Sequence, residues 1–141
     1  MKNLYKLLAL IVITSCASIP NPAEDPCYQK PDFYLSESVS DTSQIVEDFD
    51  ERAQVLDPYQ SKVTYPYPAV SNGVMGKVVA EVTISKNDEL QEVRIVEGLG
   101  HCLNQEVVRV LTNVSYKAAT KDGKPVRSKI TVPINFRLVG N

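Results

Sequence analysis

The chain is poor in the side chains that do chemistry. Its 141 residues include one histidine, His101, and three cysteines, Cys16, Cys27 and Cys102. His101 stands directly beside Cys102, and adjacent residues give poor geometry for a nucleophile and its base; a loop histidine is the simpler role. Glycine numbers only six, and Gly98 and Gly100 lack both the third glycine and the Lys-Ser/Thr pair of a phosphate-binding loop. Zinc would have to be held by Cys27, His101 and Cys102, which offer no close-spaced ligand pair except neighbours. The acidic run over 47–51 lacks the glycine and the spacing of a calcium loop. The chain therefore reads as a non-enzyme with no catalytic residues, no metal and no cofactor.

Positive charge is not in excess either. The formal net charge is −2, and loss of Lys2 and Lys6 with a cleaved leader would take it to −4, so there is no basic patch to hold nucleic acid or anionic lipid. No apolar run approaches the ~20 residues that a spanning helix needs. The only candidate, 7–13, follows Lys2 and Lys6 and runs into Ile13-Thr14-Ser15-Cys16, the layout of a signal peptide whose small-residue cleavage site ends on cysteine. That run resembles the lipobox of bacterial lipoproteins, which implies a signal peptide over 1–15, cleavage before Cys16 and lipid on its sulfur. The alternative is a plain secretory leader with an incidental cysteine. By the same resemblance, Ala17 after the cysteine leans toward the outer membrane.

In an oxidising envelope Cys27 and Cys102 are free either to bridge or to remain thiols. Cys27 falls in what reads as linker, which favours two separate thiols.

What is present is organised around 126–138. Val126, Ser128, Ile130, Val132, Ile134, Phe136 and Leu138 share one parity, and Arg127, Lys129, Thr131, Pro133, Asn135 and Arg137 share the other. A period of two predicts a strand with one buried and one wet face. Thirteen residues at about 3.3 Å each would span about 43 Å, more than one short helix covers, so an overhang is expected. Pro133 lacks an N–H, which predicts an edge strand.

Upstream, 16–64 is rich in proline, serine and acid, and reads as a lipid-anchored tether. Within it Ile45, Phe49, Ala53 and Leu56 fall near helical spacing, predicting a short helix over 42–57, with a transient helix in solvated chain as the bland alternative. About 48 tether residues at coil dimensions would hold a domain only ~40 Å from its anchor.

Pro68 and Gly73 frame one helical turn. Strands are predicted over 76–86, with Lys77, Glu81, Thr83 and Ser85 facing out, and over 90–97. Leu103, Val107, Val110, Leu111 and Val114 predict an amphipathic helix, capped by Asn104 with Glu106 in its first turn, and 114–119 reads as short and irregular. The expected fold is α+β in two layers: an antiparallel three-stranded sheet, ordered strand-strand-helix-strand in the chain, with one crossover helix. A domain this small has little room for a deep substrate pocket.

Tyr65-Pro66, Ala69, Gly73, Gly76 and Val78 stand at the spacing of the opening motif of the TonB C-terminal domain family. Leu103 and Glu106-Val107-Val108-Arg109 resemble that family's helix, and Gly123-Lys124-Pro125-Val126 with Val132-Pro133-Ile134-Asn135-Phe136-Arg137-Leu138 resembles its closing strand. The resemblance covers 65–138 and implies a TonB C-terminal-like domain over 65–139. It further implies that the last strand's edge (Thr131, Pro133, Asn135, Arg137) receives the short TonB box peptide of an outer-membrane TonB-dependent transporter by strand addition, with Tyr65, Pro66 and Ala69 beside it. Tyr65-Pro66 serving only to fix the chain's entry into the domain is the alternative role. Three departures stand out: a lipobox replaces the family's inner-membrane helix, the tether is short, and Tyr116, Lys117 and Ala118 occupy the place of a frequent Trp-x-Pro. Two functions follow. One is an envelope lipoprotein facing the periplasm that binds a transporter strand in transmembrane transport; the other is a scaffolding lipoprotein that pairs the same edge with a second copy.

Overall fold

The computed structural model describes residues 33–37 and 41–139; the leader, Cys16 and Cys27 lie outside them. The strands are β1 Phe33–Leu35, β2 Gln54–Val55, β3 Gly76–Ile84, β4 Leu90–Glu97, β5 Tyr116–Lys117, β6 Ala119–Lys121, β7 Lys124–Val126 and β8 Ser128–Phe136. The helices are α1 Tyr67–Ser71 and α2 Leu103–Leu111.

Alternation along β3 and β8 builds one wall of the core. Val78, Ala80, Val82 and Ile84 are fully buried on β3, opposite Ile134, Val132, Ile130 and Ser128 of β8. Leu103, Val107 and Leu111 of α2, each four residues from the next, close over that wall and bury with it. The sheet is antiparallel throughout, in the order β1-β4-β3-β8. The α+β architecture, an antiparallel sheet with one covering helix, is as the periodicities require.

The main difference from expectation is upstream. β1 adds a fourth strand to the outer edge of β4, pairing Phe33 with Arg94 and Leu35 with Glu92. The span 42–57 is not a helix; it is a mostly extended strap bound to the domain. Val46 N–H donates to Arg127 O (2.8 Å), Asp50 N–H to Thr120 O (2.8 Å), and β2 pairs with β5. Carboxylates of the strap accept from distant backbone as well: Asp41 from Lys86 N–H (3.0 Å), Asp50 from Asp122 N–H (2.6 Å) and Asp57 from Ser115 N–H (2.6 Å). A short isolated helix is marginal in water. Here the extended form buries Ala53, packs Phe49 and Val55 on the core and ties its polar groups to the domain, so it wins.

Several smaller expectations are corrected. The long last strand divides at Arg127 into β7 and β8, because Arg127 turns its carbonyl and guanidinium to the strap (Nη1 to Ser43 O, 2.8 Å). All of β8 is then paired with β3, so nothing overhangs. Thr83 and Ser85 are buried rather than outward, and the Ser85 hydroxyl accepts from Asn87 N–H (3.1 Å) and Glu89 N–H (3.2 Å) to close the β3–β4 turn. Cys102, not Asn104, precedes α2; it is buried, left-handed and disulfide-bonded, which overturns the expectation of separate thiols. The Asn104 side chain instead accepts from Leu99 N–H (3.1 Å). The span 114–119, expected to be irregular, supplies β5 and the start of β6.

Candidate functional site: the open edge of β8

On one side β8 is matched residue for residue with β3, from Gly76↔Phe136 to Ile84↔Ser128, without a register shift. On its other side, among the described residues, no strand lies. Which backbone groups face that open side follows from the turn at the other end of β3. Ser85 N–H donates to Glu89 O (2.8 Å), so the odd residues of β3 turn their amides toward β4 and the even ones toward β8. Antiparallel pairing alternates in the same way on the partner strand. The even residues of β8 therefore bond to β3, and the odd ones, Lys129, Thr131, Pro133 and Asn135, turn their N–H and C=O groups outward. Pro133 opposite Val79 fits this parity, because its missing N–H interrupts no bond to β3.

The side chains of the same odd residues lie on the sheet face away from α2. Thr131, Pro133 and Asn135 are exposed, and Arg137, also exposed, follows just past the strand. Lys129 is held by Glu81 across the β3–β8 pair (2.6 Å). Further ion pairs on this face join Arg94 to Glu92 (2.6 Å) and Lys77 to Glu97 (3.9 Å). Hydrogen bonding to Glu92 raises the Arg94 pKa above its usual range.

Tyr65 meets this edge at its C-terminal end. Its ring stands edge-on to Phe136, centroids 5.5 Å apart and planes at 85°, and its hydroxyl donates to Val74 O. Partial burial raises the Tyr65 pKa above its usual value. Pro66 precedes α1 and accepts at its carbonyl from Ala69 N–H (3.0 Å) and Val70 N–H (3.1 Å). Ala69 is fully buried; it belongs to the core and presents no surface to a partner. Of the residues expected at the site, Thr131, Pro133, Asn135 and Arg137 form one exposed line, Tyr65 braces its end through Phe136, Pro66 leads into α1, and Ala69 stands apart from the line. Lys129 extends the line and was not among the expected residues, although its parity in the sequence is the same. Tyr67, 75% exposed beside Pro66, was also passed over.

The histidine and cysteine make no reactive centre. His101 Nδ1 lies 3.5 Å from Leu99 O, and the Cys102 sulfur is in a disulfide. Among the described residues no cluster of three or more potential metal ligands occurs, and no helix is long and apolar enough to cross a membrane.

The family model described as Gram-negative bacterial TonB protein C-terminal matches residues 61–138. The chain belongs to the TonB C-terminal family. Among solved structures, the chain is similar to the solution NMR structure of the Pseudomonas aeruginosa TonB C-terminal domain, at 20% identity, with a TM-score of 0.48, over 72% of this chain and 99% of that one. No curated protein matches. The TonB C-terminal match begins inside the 3-10 turn at Tyr59–Lys62 and ends two residues past β8, so β1, the strap and β2 all precede it.

Proposed function

We propose that this chain is a non-enzymatic envelope lipoprotein whose TonB C-terminal domain takes an extended strand of an outer-membrane transporter, its TonB box, onto the open edge of β8. The observation that carries this reading is the edge itself: a nine-residue strand, regular along its inner side, with the outward amides of Lys129, Thr131 and Asn135 turned to solvent. Main-chain bonding of this kind holds an extended peptide with little demand on its sequence, and neighbouring side chains set the register. Domains of this family work in the periplasm of the Gram-negative envelope as interaction modules in transport, which agrees with a site that has backbone to offer and no reactive groups.

Lipid on Cys16 would hold the domain to a membrane, the outer one by the character of Ala17. The upstream ties limit how far the domain can travel from it. Because β1 joins the sheet and, with Cys16 lipidated, Cys27 is the cysteine left to bridge to Cys102, no more than 17–26 separates Cys16 from the fold. Fully extended at about 3.3–3.6 Å per residue, that span reaches roughly 40 Å at most. The partner must therefore come within that distance of the membrane holding the lipid.

Asn135→Pro tests the edge by removing an outward N–H without touching the ladder to β3. Expected is a loss of transporter capture of about fivefold or more at near-unchanged stability, read by photocrosslinking from position 137 in envelope extracts. Unchanged capture would reject the edge. Mass spectrometry of the mature chain should find an acylated Cys16 at its N-terminus, and an unmodified chain starting elsewhere rejects the anchor.

A further inference from the structure

We infer that Pro133 turns the open edge of β8 away from a second copy of this chain and toward a strand of different sequence. The inference rests on the reading of β8 as the binding edge and names what that edge will accept.

A free edge is a hazard, because the strand best matched to it in shape is the same strand in another molecule. Two-fold pairing of β8 with itself is antiparallel and isologous, so each copy turns the same odd residues toward the other. In such a ladder every bonded pair exchanges two hydrogen bonds. Pro133 stands in the middle of the outward row between Thr131 and Asn135. If the axis passes through Pro133, the two prolines face each other and the central pair forms no bond at all. If it passes beside Pro133, each copy's proline still leaves one carbonyl of the other copy without a donor inside the ladder.

Registers that avoid Pro133 shorten the ladder on either side. Toward the C-terminus only Asn135 remains within the strand. Toward the N-terminus the row is Lys129 and Thr131, and self-pairing there brings Lys129 of both copies together, each already committed to its own Glu81 (2.6 Å). Like charges across a strand pair oppose pairing. A strand of another protein meets Pro133 once rather than twice. It loses a single bond, keeps the donors of Lys129, Thr131 and Asn135, and can place a residue with a solvated carbonyl opposite the proline. The same residue that marks the edge as open thus makes the homotypic ladder the poorer of the two.

The test is sedimentation of the full-length chain in a density-matched detergent, beside Pro133→Val and the double variant Pro133→Val/Asn135→Pro. Expected is a monomeric parent, a Pro133→Val variant that associates at least about tenfold more tightly because both copies regain a donor, and reversal to monomer in the double variant. Pro133→Thr, with its polar side chain on the exposed face, repeats the measurement should the valine variant fail to fold by circular dichroism. A parent that already dimerises, with the dimer broken by Asn135→Pro, overturns the inference. So does a folded Pro133→Val that stays monomeric to millimolar concentration. Neither result depends on finding the transporter, so failure of partner capture refutes the proposed function and leaves this outcome separately readable.

Discussion

Asp41 is the strap's buried carboxylate, bonded to Ser43 within the strap and to the β3–β4 turn at Lys86. It is 3% exposed, and its carboxylate accepts from the Ser43 hydroxyl (2.6 Å), Ser43 N–H (3.0 Å) and Lys86 N–H (3.0 Å). These bonds, that from the Ser43 hydroxyl above all, hold its pKa down from 3.8 to about 2. A carboxylate whose pKa is lower folded than unfolded adds stability above its unfolded pKa and loses it as pH falls through the folded one. Asp57, lowered by Ser115 N–H and then by Lys62, acts in the same direction. Urea unfolding should therefore show about 2 kcal/mol of stability disappearing between about pH 4 and pH 2, and Asp41→Asn should flatten that slope. Tyr65→Phe removes the hydroxyl that binds Val74 O and keeps the ring on Phe136, so a cost of about 1 kcal/mol in stability with near-unchanged partner capture is expected. A large loss of capture at intact stability would assign the hydroxyl to the partner instead. The motif spacing was enough to single out Tyr65. That its hydroxyl turns inward was not readable, because the acceptor is nine residues away on a turn whose path only the fold sets.

At the scale of elements, β3, β4, α2 and β8 could be read from hydrophobic period, since each buries one face and the side-chain repeat of strand or helix dictates which residues lie on it. The strap could not. Ile45, Phe49, Ala53 and Leu56 satisfy helical spacing, yet Leu56 is 59% exposed while Ala53 is buried, because the extended chain follows β5 and β6 rather than its own helix axis. Ala53→Asp would bury a charge beneath the strap. Hydrogen exchange should then show lost protection at the amides of Asp50, Glu51 and Leu56 with β3 still protected. Simultaneous loss across β3 would mean that strap and sheet unfold as one unit. Phe136→Ala, at the end of the candidate edge, removes a 2%-exposed ring that supports Tyr65. It should cost about 3–5 kcal/mol by chemical denaturation.

For the whole molecule, the start of α2 carries a covalent tie, because Cys102 is disulfide-bonded. Were Cys16 lipidated as proposed, Cys27 would be the cysteine left to pair with Cys102, closing a loop of about 75 residues, for which chain entropy gives a stabilisation of about 4 kcal/mol. Reduction, or Cys102→Ser, should lower stability by 2–5 kcal/mol, and non-reduced peptide mapping should return Cys27 joined to Cys102. The sequence by itself determined the sheet-and-helix core, the family and the parity of the last strand, because period and motif spacing are local and survive without neighbours. Only the tertiary structure decided that the acidic span folds back as a strap, that the last strand stops short of an overhang, and that Ala69 belongs to the core. Each of those depends on a hydrogen-bond acceptor or a packing surface supplied from dozens of residues away, and no local pattern records which distant group will be there.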